Sequence, residues 1–123
     1  MTPLILAVKN GHETVVRLLI EWDKTVINSK ESYYGMTPLI IAAREGLEAA
    51  VWLLTGRDDI DIYAKDNEGM TSLMWAAKDG REAVVWLLIE SPDIDINARA
   101  FDGMTPLTLA VENGHEAVVR LLI

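Results

Sequence analysis

The tripeptide Met-Thr-Pro, or its near copy Met-Thr-Ser, begins at Met1, Met36, Met70 and Met104 of a chain of 123 residues. A glycine stands nine residues after each threonine, at Gly11, Gly46, Gly80 and Gly114. Seven residues further on comes a leucine pair: Leu18–Leu19, Leu53–Leu54, Leu87–Leu88 and Leu121–Leu122. These landmarks keep phase through intervals of 35, 34 and 34 residues and a final 20. A period of this length marks supersecondary units that cannot bury their apolar faces alone and must stack on one another. The expected units are residues 1–35, 36–69, 70–103 and 104–123, forming one domain over 1–123. The extra residue of the first interval falls between Asn28 and Gly35, in a loop that tolerates it.

Within a unit, Thr followed by Pro starts a helix: the hydroxyl caps, and proline at the first helical position sacrifices no needed donor. Ser72 replaces that proline in the third copy. The first helix is short and stops at the glycine, a residue suited to a left-handed cap. A second helix follows, with Val15, Val16, Leu18 and Leu19 at helical spacing in the first copy. The small residues Ala7, Ala42, Ala43, Ala76, Ala77 and Ala110 are placed where helices must approach closely. Next, Asp59-Ile60-Asp61-Ile62 and Asp93-Ile94-Asp95-Ile96 alternate polar and apolar with period two, which predicts short strands. They lead toward Asp66-Asn67-Glu68-Gly69, whose first and last residues suit a type I turn. The fourth copy, Ala100-Phe101-Asp102-Gly103, keeps the glycine and loses the favoured first residue. Each unit is thus helix, turn, helix and an extended finger.

This pattern resembles the ankyrin repeat along the whole chain. The elements that carry the likeness are Thr37-Pro38-Leu39, Ala42-Ala43, Asn113-Gly114-His115, Val118-Val119 and Asp95-Ile96-Asn97. The resemblance implies a mainly α solenoid of helix-turn-helix units joined by β-hairpin-like fingers. Two features depart from the family pattern. The period is one residue longer than the usual 33 or so. The histidine expected after Thr-Pro-Leu is replaced by Ile5, Ile40, Met74 and Thr108, so apolar contact is expected to substitute for its hydrogen bonds between loops.

Composition narrows the function. Nineteen Asp and Glu against eleven Lys and Arg give a net charge of −8, which argues against nucleic acid and anionic membrane as partners. No cysteine is present, which excludes disulfides, thiol catalysis and Cys-based zinc sites and suits an intracellular, cytoplasmic setting. No apolar run approaches the roughly 18–20 residues of a membrane span. The only histidines, His12 and His115, occupy one slot three repeats apart, too far to share a metal or act as an acid–base pair. His12-Glu13 and His115-Glu116 lack the second histidine of a zincin helix, and no phosphate loop or dinucleotide fingerprint is present. The carboxylates Asp58, Asp59, Asp61, Asp93 and Asp95 lack the spacing and closing glutamate of an EF-hand and read as a solvated edge. The chain is expected to be no enzyme and to need no cofactor or metal.

The resemblance implies partner binding, with another protein as ligand. The resemblance places it on the concave face, formed by finger tips and the exposed side of the first helices. There it implicates the tip residues Tyr33, Tyr34, Glu68 and Phe101. It adds the methionine row Met36, Met70 and Met104, which alternatively shields the fingers. From the first helices come Arg44, Glu45, Trp75, Lys78 and Asp79. A second patch is the ladder Arg17, Trp52, Trp86 and Arg120, one rung per repeat on the second helices, read as arginine stacked on tryptophan or as an aromatic contact surface.

Copies one and four, Met1–Ile20 and Met104–Ile123, differ at three of twenty positions: Ile5/Thr108, Lys9/Glu112 and Thr14/Ala117. Neither shows the polar character of a capping repeat. A piece of a longer array, of the kind found in fungal-type arrays with Gly11-His12-Glu13 and Asp23-Lys24, is one reading; an engineered repeat protein is the other. Apolar faces at both ends predict heterologous end-to-end self-association, which the −8 charge opposes. A structural scaffold without a dedicated partner is the alternative to a binding module.

Overall fold

In the computed structural model, which describes residues 1–23 and 26–123, eight helices form four antiparallel pairs. The first helices are α1 (Pro3–Lys9), α3 (Pro38–Glu45), α5 (Ser72–Lys78) and α7 (Pro106–Glu112). Their partners are α2 (Glu13–Trp22), α4 (Glu48–Thr55), α6 (Glu82–Ile89) and α8 (Glu116–Leu122). Each first helix starts at a threonine whose hydroxyl accepts the backbone N–H three residues on: Thr2 from Ile5, Thr37 from Ile40, Thr71 from Met74 and Thr105 from Thr108, at 3.2–3.3 Å. Such a cap contributes about 1 kcal/mol. Ser72, in the slot of Pro38 and Pro106, is buried with its hydroxyl unpartnered.

Helices of seven to ten residues are unstable alone, so packing decides. First helices pack on first helices and second on second, always between neighbouring units. The alanines at the expected close approaches, Ala42, Ala43, Ala76, Ala77 and Ala110, have no accessible surface, and Ala7 is buried beside them. Val16, Val51, Val85, Leu54 and Leu88 fill the seam between the two rows. Burying each such side chain stabilises by about 1.5–3 kcal/mol. Apolar contact does replace the family histidine in three copies, because Ile5, Ile40 and Met74 are fully buried. The fourth uses Thr108 differently: its hydroxyl receives the Thr105 N–H at 2.7 Å, closing a capping box.

The fingers are loops built from turns, and the described residues contain no strand. The period-two alternation sorts side chains in part, burying Ile62 and half-burying Ile60 and Ile94 while Ile96 is exposed. Its aspartates bend the chain away from a strand. Asp61 accepts the Tyr63 N–H at 3.1 Å and Asp95 accepts the Asn97 N–H at 3.0 Å, two local Asx turns. At the tips, Gly69 N–H reaches Asp66 O at 3.0 Å and Gly103 N–H reaches Ala100 O at 2.9 Å. The corresponding bond of the first finger spans one residue more, from Gly35 N–H to Glu31 O at 3.1 Å. This wider turn is where the thirty-fifth residue of the first unit resides.

Neighbouring units are also joined by hydrogen bonds that recur from one junction to the next. Asn67 N–H donates to Tyr34 O at 2.9 Å and Phe101 N–H to Glu68 O at 3.2 Å, which stacks the tips. Lys30 Nζ donates to Lys65 O at 2.8 Å and Lys65 Nζ to Arg99 O at 2.9 Å. At the helix turns, Arg81 Nε donates to Arg44 O at 3.2 Å, and His115 Nε2 meets Lys78 O at 2.8 Å. The His115 ring lies over Gly80, where a Cβ would come within 2.5 Å of Nδ1.

Candidate binding surface

Two carboxylates organise the tips. Glu31 accepts backbone N–H groups from Tyr33 at 2.7 Å, Tyr34 at 2.6 Å and Met36 at 3.2 Å. Burial acts to raise the Glu31 pKa, but those three N–H groups and the Lys9 charge outweigh it and hold the carboxyl below its ordinary value. Asp66 does the same work in the narrower second turn, taking Glu68 N–H at 2.9 Å and Met70 N–H at 3.0 Å on one oxygen. The longer acid thus sits in the longer turn. Ala100 supplies no carboxylate, and Asp102 takes over one bond, from Met104 N–H at 3.1 Å.

The second oxygen of Asp66 accepts the indole N–H of Trp75 at 2.8 Å, tying a finger to the helix α5 beneath it. The half-buried indole ring carries two cations. Arg44 Cζ is 5.3 Å from its centroid and Lys78 Nζ 5.0 Å, so the two charges are at most about 10 Å apart. Both belong to the last turns of first helices, as does Lys9 of α1, and helix C-termini favour positive charge. Lys9, Arg44 and Lys78 therefore make a row through the first three units, with Glu112 in the equivalent slot of the fourth, and no carboxylate of the described residues lies within ion-pair distance of the three cations.

The remaining expected residues divide by exposure. Tyr33 (79% exposed), Phe101 (75%) and Tyr34 stand out from the tips, with Tyr33 and Tyr34 edge-to-face at 5.0 Å between centroids. Glu45, Glu68 and Asp79 are also exposed. Met36 and Met70 are corrections: both are only 5% exposed, packed beneath the fingers, and offer no surface to a partner. Of the methionine row only Met104, with no following finger over it, is half-buried. Arg44 Nη1 reaches the Met36 sulfur at 4.0 Å, so the methionine supports the cation from below.

On the opposite, second-helix side, Trp52 and Trp86 are 63% and 52% exposed. A cleft between α4 and α6 is lined by Trp52, Leu53, Trp86, Leu87 and Pro92. The expected arginine–tryptophan stacking is absent there. Arg17 reaches Glu13 at 3.9 Å and Arg120 pairs with Glu116, each a one-turn partner on its own helix. A carboxylate four residues away is a nearer partner than an indole one unit away. The cation–π contacts of the described residues are those at Trp75.

His12 is exposed, and His115 serves the Lys78 carbonyl rather than backbone of its own helix. No group of three or more His, Asp or Glu among the described residues is placed to hold a metal ion. No helix among them is long and apolar enough to cross a membrane. Sequence reasoning missed the Asp66–Trp75 bond, the Glu31 nest and the lysine bonds between fingers. The signal for the first two was available: an acid stands at the start of the tip in two of three fingers.

The family model described as ankyrin repeats (3 copies) matches residues 1–66 and again residues 58–123. The chain belongs to the ankyrin-repeat family, whose members generally act as protein–protein interaction modules and typically carry no catalytic activity. No curated protein matches it.

Proposed function

We propose that this chain is a non-enzymatic module that binds another protein across its finger tips and the last turns of its first helices. The observation that carries the reading is the tip-to-helix surface itself. Exposed aromatics Tyr33, Tyr34 and Phe101 stand at the tips, and Trp75, tied to a tip by Asp66, carries two cations from the first helices. Aromatic residues and arginine are enriched among the side chains that dominate binding energy. Tips fixed by Glu31 and Asp66 lose little entropy on association. An intracellular, cytoplasmic setting belongs to this reading, supported by the cysteine-free sequence.

The test compares two double variants as baits in lysate of the cells that express the protein. Tyr34→Ala with Arg44→Glu alters the tip-to-helix surface; Trp52→Glu with Trp86→Glu alters the opposite side. Proteins retained by the wild type and the second variant but lost from the first are the expected result. Loss from the second variant alone moves the interface to the tryptophan ladder and overturns the proposal.

A second reading is self-association, favoured by one comparison of equivalent slots. Leu6 is 49% exposed where Ile41 is 3% exposed, and Val111 is exposed where Ala43 and Ala77 are fully buried. Leu6 belongs to the first unit and Val111 to the last, whereas Ile41, Ala43 and Ala77 lie in units packed on both sides.

A further inference from the structure

We infer that the partner segment seated on this surface is an extended, acidic stretch of polypeptide with carboxylates three residues apart, docked along the Lys9–Arg44–Lys78 row. The inference rests on the tip-to-helix reading above and adds the chemistry of what binds there. The first argument is charge. The whole chain carries −8, yet this line presents three cations in equivalent slots, with no carboxylate in ion-pair range. Glu45 and Asp79, next in the chain to Arg44 and Lys78, pair with neither. Two like charges held within about 10 Å by one indole ring repel each other, and an anion between them removes that repulsion.

The second argument is preorganisation. Long cationic side chains normally lose rotamer freedom when they engage an anion. Arg44 and Lys78 are already positioned over Trp75, whose own orientation is fixed by its bond to Asp66. Part of the ordering cost is therefore met before binding, and the guanidinium of Arg44 remains able to grip a carboxylate with two N–H groups.

The third argument is spacing. Neighbouring packed helices lie about 8–10 Å apart, and a chain extended as polyproline II advances about 3.1 Å per residue and returns a side chain to the same face every third residue. One cation in each of the first three units therefore matches one acidic side chain about every three residues. The exposed Tyr33, Tyr34 and Phe101 line the tip side of the same path and accept apolar side chains between the acids.

The experiment is selection of a phage-displayed library of random twelve-residue peptides on the immobilised 123-residue chain. Selected peptides are then labelled with fluorescein and titrated by anisotropy. Enrichment of Asp or Glu at i and i+3 is expected, with about tenfold weaker binding to Arg44→Glu/Lys78→Glu and an intermediate loss for Arg44→Gln/Lys78→Gln. Peptides with Lys in place of the acids are expected to regain affinity for the charge-reversed variant only. The inference is overturned if selected peptides carry no acidic period and ignore both Arg44/Lys78 variants; if they still lose binding to Tyr34→Ala/Phe101→Ala, the tip-to-helix reading stands without it. Peptides indifferent to every one of these variants, or no enrichment at all, overturn both.

Discussion

At the scale of single residues, Glu31 shows how much a buried carboxylate can organise. Three backbone N–H groups converge on it, and its pKa is held below the ordinary value of 4.5. A carboxyl depressed on folding contributes stability that is fully present above the unfolded pKa and is lost as pH falls through the folded one. Glu31→Gln keeps one acceptor oxygen and places an NH2 where N–H groups point. It is expected to cost about 1–2 kcal/mol at neutral pH. That deficit shrinks as pH drops below 4.5, because the wild-type carboxyl is then neutralised as well. Urea denaturation of both proteins at a series of pH values checks this; a deficit that stays constant down to acid pH would mean Glu31 acts through packing alone.

Between helix and finger, the cross-unit contacts make equivalent glycines unequal. Gly80 and Gly114 both have positive φ, +68° and +70°, which costs a non-glycine residue about 1–2 kcal/mol. Over Gly80 lies the His115 ring; beside Gly114 a Cβ meets nothing within 4 Å. Gly114→Ala is therefore expected to cost only the backbone strain. Gly80→Ala should cost about 1 kcal/mol or more beyond that, since His115 must leave the Lys78 carbonyl. Comparing their urea midpoints decides the matter; equal losses would show that the ring moves aside freely.

The same elements show what could be read beforehand. Helix starts at Thr2, Thr37, Thr71 and Thr105 and the glycine stops are local chemistry, written within a few residues of sequence, and period alone implied the stack. The fingers misled because alternation states which side chains are buried and not whether a neighbouring strand exists to pair with. Asp61 and Asp95 satisfied nearby N–H groups instead. For the proposed surface, sequence pointed to the tips and the first helices, and the structure adds which of those side chains are exposed. That Met36 and Met70 lie beneath the surface, and that Trp75 rather than Trp52 or Trp86 carries cations, depends on how adjacent units overlap. Contacts between residues some 34–37 positions apart, such as Arg81 with Arg44, are invisible to a local reading.

Seen as a whole molecule, the main helix contacts of the described residues fall within units or between adjacent ones, so cohesion is close to the sum of neighbouring interfaces. On the self-association reading, Leu6, Val15 and Val111 form faces that another copy can cover. The sedimentation coefficient is then expected to rise with protein concentration, more steeply in high salt, where the mutual repulsion of chains carrying −8 is screened. Leu6→Lys should flatten that rise. A coefficient independent of concentration at both ionic strengths would remove this reading and leave the binding module alone.

Most of the bonds that tie one unit to the next end on main-chain carbonyls: those of Tyr34 and Glu68 at the tips, of Lys65 and Arg99 in the fingers, and of Arg44 and Lys78 at the helix turns; the Asp61 N–H, which donates to Asn28 Oδ1, is an exception. A carbonyl belongs to every residue, so exchanging the side chain at these positions leaves the acceptor in place. Several residues of the proposed binding surface are therefore ones whose identity these bonds do not consult. Recognition and architecture thus draw on separate parts of the same residues, and a lineage can change what the surface recognises while inheriting the stack intact.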